Sequence, residues 1–251
     1  MTILNNKLTK FIWHILPDPL RYYINLKLRC DRSIPPGWVG FGDLRRLTPL
    51  GTNFGHDRGK PIDRFYIENF LASNSSDIKG RVLEFANDTY TQTYGKDKVT
   101  NSDVLNLTKE ENPATTIVAD ISSAPHIPSN QFDCIICTQT LQYIYDVNEA
   151  ISTLYRILKP GGVLLVTVPA ISQLDILYPD QFFWKFSSAS AGLLFGEYFP
   201  DDKVEICRYG NILTAIGFLQ GLALHELTEK ELNYQDDIYE LIITIKATKN
   251  L

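Results

Sequence analysis

Three acids recur at near-even spacing in the middle of this 251-residue chain: Glu84, Asp103 and Asp120, nineteen and seventeen residues apart. They fall at or near the ends of three short runs, "RVLEF" 81–85, "KVTNSD" 98–103 and "TTIVAD" 115–120. In a doubly wound sheet the carboxyl edges of parallel strands face the crevice where ligands bind, and a carboxylate there accepts hydrogen bonds from both hydroxyls of a ribose. A single acid after a strand can equally cap the next helix. Three in register point to a nucleoside site.

Other chemistries find less support. Cys134 and Cys137 sit inside the apolar run "FDCIICT". Residues three apart on a strand point to opposite faces, so the pair reads as buried small hydrophobes rather than an exposed redox or zinc motif. His14, His56, His126 and His225 have neither ligand spacing nor a nucleophile partner, and no metal is expected. Tyr155 and Lys159 have the Y-x-x-x-K spacing of short-chain dehydrogenases. That reading fails because no glycine-rich turn follows the first strand to seat a pyrophosphate, and because Pro160 and Gly161 place Lys159 at a helix end.

The elements that must position the acids follow from the apolar pattern. From residue 80 short apolar runs alternate with helix-like segments, which argues for parallel strands joined by crossover helices. Seven strands are expected: the three above, then 132–138, 162–169, 203–210 and 239–247. Helices are expected over 146–158, 187–198 and 211–224, and from Pro61 through "IDRFYIENFLA". The fold class is α/β, a Rossmann-like doubly wound sheet of seven strands, mostly parallel. Pro/Gly-punctuated sequence over 34–61 excludes a continuous helix or strand there. Residues 1–60 are therefore expected to be an extension and 61–251 the domain.

At 44% hydrophobic and 21% charged, the chain can bury a core without metal or disulfide staples. Its net charge of −5 is uneven: residues 1–60 carry ten Lys and Arg against four Asp, and the remainder carries fourteen against twenty-five acids. An acidic domain without a basic stripe argues against a nucleic-acid partner. Leu8, Phe11, Ile12 and Ile15, beside Lys7 and Lys10, have the spacing of a helix that docks on a membrane surface or a partner, or packs on its own domain. With neither a signal peptide nor an apolar run of transmembrane length, a cytoplasmic location is expected.

The runs "VLEFANDTYT", "VTNSDVL", "IVADI", "FDCIICTQTLQYIYD" and "YRILKPGGVLLVTVP" resemble class I, type 11-like S-adenosylmethionine-dependent methyltransferases over about residues 61–247. More narrowly, "GHDRGKPIDRFYIENFL", "CTQTLQYIYD" and "FWKFS" are similar to bacterial methyltransferases encoded with, or fused to, glycosyltransferases. The resemblance implies an antiparallel last strand, S-adenosylmethionine as cofactor and a sugar or glycan hydroxyl as acceptor, with a glycosyltransferase as a possible partner. The rival expectation is a catalytically silent relative that keeps the fold to bind such a partner.

Carried over by position, the resemblance implies that Glu84 orders the loop after the first strand. Asp103 and Val104 then meet the ribose, and Asp120 and Ile121 the adenine. Phe85, Ala86 and Asn87 form the cofactor turn, and Thr138 and Gln139 lie near the amino-acid end of the cofactor or the acceptor. The departure is Ala86, where the family's turn carries glycine. Alanine there costs on the order of 1 kcal/mol if φ must be positive, unless Asn87 or Asp88 takes the left-handed conformation instead. Arg64 is a candidate for the cofactor's carboxylate, although Asp63, Arg64 and Glu68 could equally form a surface network. His56, His126 and Asp146 are the candidate bases for an alcohol acceptor. Aromatics at Tyr178, Phe182, Phe183, Trp184 and Phe186 could wall the acceptor.

Overall fold

A computed structural model describes residues 16, 17, 19, 20 and 38–251. The chain divides into two compact units, Met1–Leu47 and Thr48–Leu251. Residues 38–47 of the first contain a 3-10 turn, Gly42–Leu44, and the Arg45 guanidinium lies 5.6 Å from the centre of the Phe41 ring. The helix expected around Leu8, Phe11, Ile12 and Ile15 lies outside the described residues.

In the second unit the apolar runs become seven strands: β1 (Gly80–Phe85), β2 (Val99–Asn106), β3 (Ile117–Val118), β4 (Phe132–Thr138), β5 (Leu158–Pro169), β6 (Val204–Tyr209) and β7 (Ile242–Thr248). They form one sheet in the order β3-β2-β1-β4-β5-β7-β6. Strands β1 to β5 run parallel, while β7 lies antiparallel to both β5 and β6. The expected doubly wound architecture and the reversed last strand are thus present.

Alternation along the strands divides the core between the two faces of the sheet. Cys134 and Ile136 face α1 (Ile62–Ser73), while Ile135 and Cys137 face α2 (Val147–Ile157) and α3 (Ser188–Gly196). The two cysteines are buried on opposite faces, as the strand reading requires. Helix ends follow local chemistry. In α2, Glu149 in the first turn and Arg156 in the last complement the helix dipole. In α4 (Ile212–Leu219), the Asn211 side chain accepts from the Leu213 and Thr214 N–H groups and stops the strand-side chain at the right place for a helix to begin. A short α5 (Glu229–Asn233) is capped by Thr228 in the same way.

One strand boundary corrects the sequence reading and with it the acid ladder. β2 does not end at Asp103, because Leu105 pairs with both Phe85 and Ile117 and Asn106 pairs with Val118. Asp103 stands opposite Leu83, inside the sheet, and the carboxyl edge of β2 is Asn106.

Residues 48–60 wrap onto the end of α4. The Leu50 and Gly51 N–H groups both donate to the Gln220 carbonyl at 2.9 Å, and Pro61 bridges Ala223. Arg58 forks onto Glu226, its Nε 2.9 Å from Oε2 and its Nη2 on Oε1. Gly51 and Gly221 meet backbone to backbone: a Cβ on either would fall 2.2 Å from the carbonyl oxygen of the other.

Candidate active site

Glu84, one residue before the end of β1, points under the loop that follows. It is 2% exposed, and its carboxylate accepts from the Tyr90 N–H at 3.1 Å and from the Thr91 N–H and hydroxyl, each at 2.7 Å. Burial pushes this carboxyl up to about 7, against the pull of those hydrogen bonds. The acid thereby pins the segment that begins at Tyr90, and the turn between is carried by Ala86 at φ +68°. Neither Asn87 nor Asp88 takes a positive φ. The Ala86 N–H donates to the Leu105 carbonyl at 3.2 Å, and its own carbonyl accepts from Nδ2 of Asn106 at 3.3 Å and of Asn112 at 2.9 Å. A strained alanine is held from both sides, as strain at a binding loop must be.

Past β4 a second positive φ occurs at Gln139, +49°. Its N–H donates to the Thr167 carbonyl at 2.8 Å, and Gln142 Nε2 donates to its carbonyl at 2.9 Å. Here a cavity of about 210 Å³ opens, bounded by His56, Asp63, Arg64, Gln139, Gln142 and Tyr143. Asn53 and Phe54, at φ +48° and +59°, bring the wrap to the same cavity. Lys96 and Asn130, which precede β2 and β4, also have positive φ; the four at this end, Asn53, Phe54, Ala86 and Gln139, have strained backbones that suit a binding place.

Asp63 comes from the first turn of α1 and is buried, with the Arg64 Nε 3.9 Å from its Oδ1. Burial raises its carboxyl above the usual range, while Arg64 and His56 draw it down. Arg64 Nη1 reaches the Tyr90 hydroxyl at 3.1 Å, linking the cavity to the turn held by Glu84. Tyr143 donates to Asp175 at 2.7 Å and packs edge-on against Phe182, with centroids 5.4 Å apart.

The structure therefore brings His56, Arg64 and Gln139 together and sets Glu84, Phe85, Ala86, Asn87 and Thr138 along the adjoining strand edges. Asp120 follows β3, exposed, with Oδ1 accepting from the Ser122 N–H and hydroxyl, and Ile121 is core. Val104 is buried in the sheet. Asp103 is withdrawn, accepting from Arg81 Nε at 2.7 Å, Asn101 Nδ2 at 2.9 Å and the Thr116 hydroxyl at 3.0 Å. His126 lies elsewhere, beside Arg81 and Gln131, with Nε2 3.2 Å from the Val118 carbonyl. Asp146 is exposed before α2 and its side chain caps nothing. Of the expected aromatic wall, Phe182 alone lines the cavity, Phe183 and Trp184 pack on Tyr145, and Phe186 is core.

Sequence reasoning passed over Asn106 and Gln142 and left Asp63 open between a surface network and a segment folded over the cofactor. A signal for Asp63 was present: it shares the i, i+4, i+7 spacing with Ile67 and Phe70, and so the buried face of α1. Nothing in the sequence distinguishes Asn106 from a loop residue.

Comparison with known proteins agrees with this geometry. Residues 78–166, which span β1 to most of β5, match the family described as "Methyltransferase domain". The ubiquinone/menaquinone biosynthesis C-methyltransferase UbiE of Pectobacterium carotovorum subsp. carotovorum is 36% identical over 87 residues, covering 31% of this chain and 35% of that protein. Its counterpart from Marinomonas sp. is 30% identical over 116 residues, covering 45% and 43%. The chain thus spans well under half the length of these curated relatives. Among solved structures, a SAM-dependent methyltransferase from Archaeoglobus fulgidus superimposes with a TM-score of 0.52 at 12% identity, over 74% of this chain and 94% of that one. Phosphoethanolamine N-methyltransferase 2 of Haemonchus contortus, solved with S-adenosyl-L-methionine, gives 0.51 at 15% identity, over 84% and 55%. The fold is that of these solved S-adenosylmethionine-dependent methyltransferases, and residues 78–166 are similar to a methyltransferase domain.

Proposed function

We propose that this chain transfers a methyl group from S-adenosylmethionine to a hydroxyl of a sugar or glycan intermediate. The observation that carries the acceptor class is the cavity beyond β4, where His56, Asp63, Arg64, Gln139, Gln142 and Tyr143 share the walls with Phe54, Phe182, Phe218 and Ile242, polar groups beside rings as a sugar's hydroxyls and apolar faces require. Charges and amides at that density suit a polyhydroxylated molecule, since each buried polar group needs a partner. The UbiE proteins are named for C-methylation in quinone biosynthesis; a wholly apolar acceptor would leave these groups unpaired.

The residues present fit the cofactor. Ala86 holds the φ that lets a ligand approach the turn closely, the Asp120 carboxylate is exposed beside the edge, and Arg64 offers a guanidinium fork for a carboxylate. Asn106 stands at the edge of β2 where the ribose acid was expected. When bound, S-adenosylmethionine supplies a methyl carbon already activated by the sulfonium. The protein's share is then alignment, with Tyr143 and Phe182 flanking the acceptor. His56 is the base that takes the hydroxyl proton, because it is the one candidate base that reaches the cavity.

The experiment is calorimetric titration with S-adenosylmethionine and S-adenosylhomocysteine, followed by a screen of nucleotide sugars and glycans for methyl transfer from labelled cofactor. Micromolar binding and a methyl ether on a sugar are the expected results. A folded protein that binds neither nucleoside would refute the reading.

A further inference from the structure

The loop between β5 and α3, residues 170–187, exposes a run of apolar side chains at its tip. Leu174, Ile176, Leu177 and Tyr178 stand in solvent there, from 48% exposure at Leu174 to 73% at Leu177. Single apolar residues scattered on a surface need no explanation, but four within five positions do. The arrangement is held rather than slack. Asp175, the one charge among them, is turned inward: its carboxylate accepts from the Tyr143 hydroxyl and the Leu177 N–H, each at 2.7 Å, and from the Tyr178 N–H at 3.4 Å. Its apolar neighbours are thereby presented outward. The far end of the loop is fastened to the same 3-10 turn, Leu141–Tyr143. There the Phe183 and Trp184 N–H groups donate to the Gln142 carbonyl at 2.8 and 3.2 Å, and the Trp184 indole N–H donates to the Ile144 carbonyl at 3.0 Å.

We infer that this loop docks on the surface of a zwitterionic lipid bilayer, with Leu174, Ile176 and Leu177 in the interface and the Tyr178 hydroxyl among the headgroups. The inference goes beyond the methyltransferase reading and does not depend on it. Three observations select a bilayer over a protein. The loop's outward charges, Asp180 and Lys185, are of opposite sign, so the surface carries no net charge and matches a headgroup layer that carries none. Four side chains at half to three-quarters exposure present less than the roughly 800 Å² that a stable protein interface takes from each partner. Membrane binding has no such threshold and scales with the apolar area inserted. The loop is also the rim of the cavity, which Ser172, Asp175 and Phe182 line. A rigid partner seated on that rim would stand against the mouth, while a fluid lipid surface leaves it open to molecules carried in the bilayer.

The test is sedimentation of the full chain with vesicles of phosphatidylcholine alone, which carry no net charge and so give the basic residues 1–60 nothing to attract them. Ile176→Ser combined with Leu177→Ser should weaken vesicle binding by about tenfold or more. Leu193→Ser, which removes an equally exposed leucine from α3, should leave it within about twofold. Hydrogen exchange of the wild-type protein should show vesicle-dependent protection in residues 171–187, which locates the contact even if the double variant does not fold. A wild-type protein that stays in the supernatant would overturn the inference. So would protection confined to other residues, or a double variant that melts normally and binds as the wild type does. A wild-type dimer that the double variant loses, with neither protein on vesicles, would overturn it in favour of a second copy. S-adenosylmethionine is absent from every arm, so none of these results touches the methyltransferase reading.

Discussion

Arg81 donates from Nε to Oδ2 of Asp103 at 2.7 Å, inside the first two strands, and the guanidinium also lies 4.9 Å from the centre of the Phe132 ring. Asp103 is almost wholly buried and accepts two further hydrogen bonds there. The pair ties β1 and β2 together below the edge at which a ligand would sit.

Asp103→Ala should accordingly cost stability, about 1–3 kcal/mol from the donors left behind, and leave S-adenosylhomocysteine affinity within about twofold. Urea denaturation and calorimetry on the same preparation separate the two. A large loss of affinity in a stable variant would restore Asp103 to the ligand.

Ala86 predicts the opposite sign. Glycine adopts φ +68° without the Cβ penalty, so Ala86→Gly should raise stability by about 0.5–1 kcal/mol after its entropy cost, and cofactor affinity should hold or tighten. A clear loss of affinity would show that the alanine methyl is a ligand contact.

Glu84 gives the pH dependence. Its folded carboxyl titrates near 7 against 4.5 ordinarily, so the native state keeps a proton that the unfolded chain has released. Its contribution to stability is full below about 4.5 and is lost as pH rises through about 7. Glu84→Gln should flatten that part of the profile. The difference between wild-type and variant urea midpoints, measured from pH 4 to pH 8, isolates this residue from every other titrating group. The variant should also loosen the turn at Tyr90 and Thr91, because an amide cannot accept all three donors.

His56→Gln should lower turnover by about a hundredfold or more with S-adenosylhomocysteine affinity unchanged, once an acceptor is in hand. Unchanged turnover would remove His56 from the proton's path.

The parts of the fold that were legible in the sequence are those in which one physical signal dominates. β1, β4 and β5 are apolar runs buried on both faces, and the alternation at Cys134 and Cys137 follows from strand geometry alone. The end of β2 was obscured because "SDVLN" interrupts polar with apolar residues, and only the pairing of Leu105 and Asn106 with two neighbouring strands settles where it stops. In the site, Glu84 and Ala86 could be read from their place after a strand. Asp63 could not be weighed without knowing which face of α1 is covered, and the meeting of His56 with Gln139 depends on the 82 residues of chain between them.

The clasp of Gly51 on Gly221 bears on how such a protein can diversify. It fastens the segment bearing Asn53, Phe54 and His56 at a point outside residues 78–166, so that wall of the cavity is carried by chain beyond the matched segment. Exchanging the residues between Gly51 and the start of α1 would reshape that wall while leaving the sheet as it is.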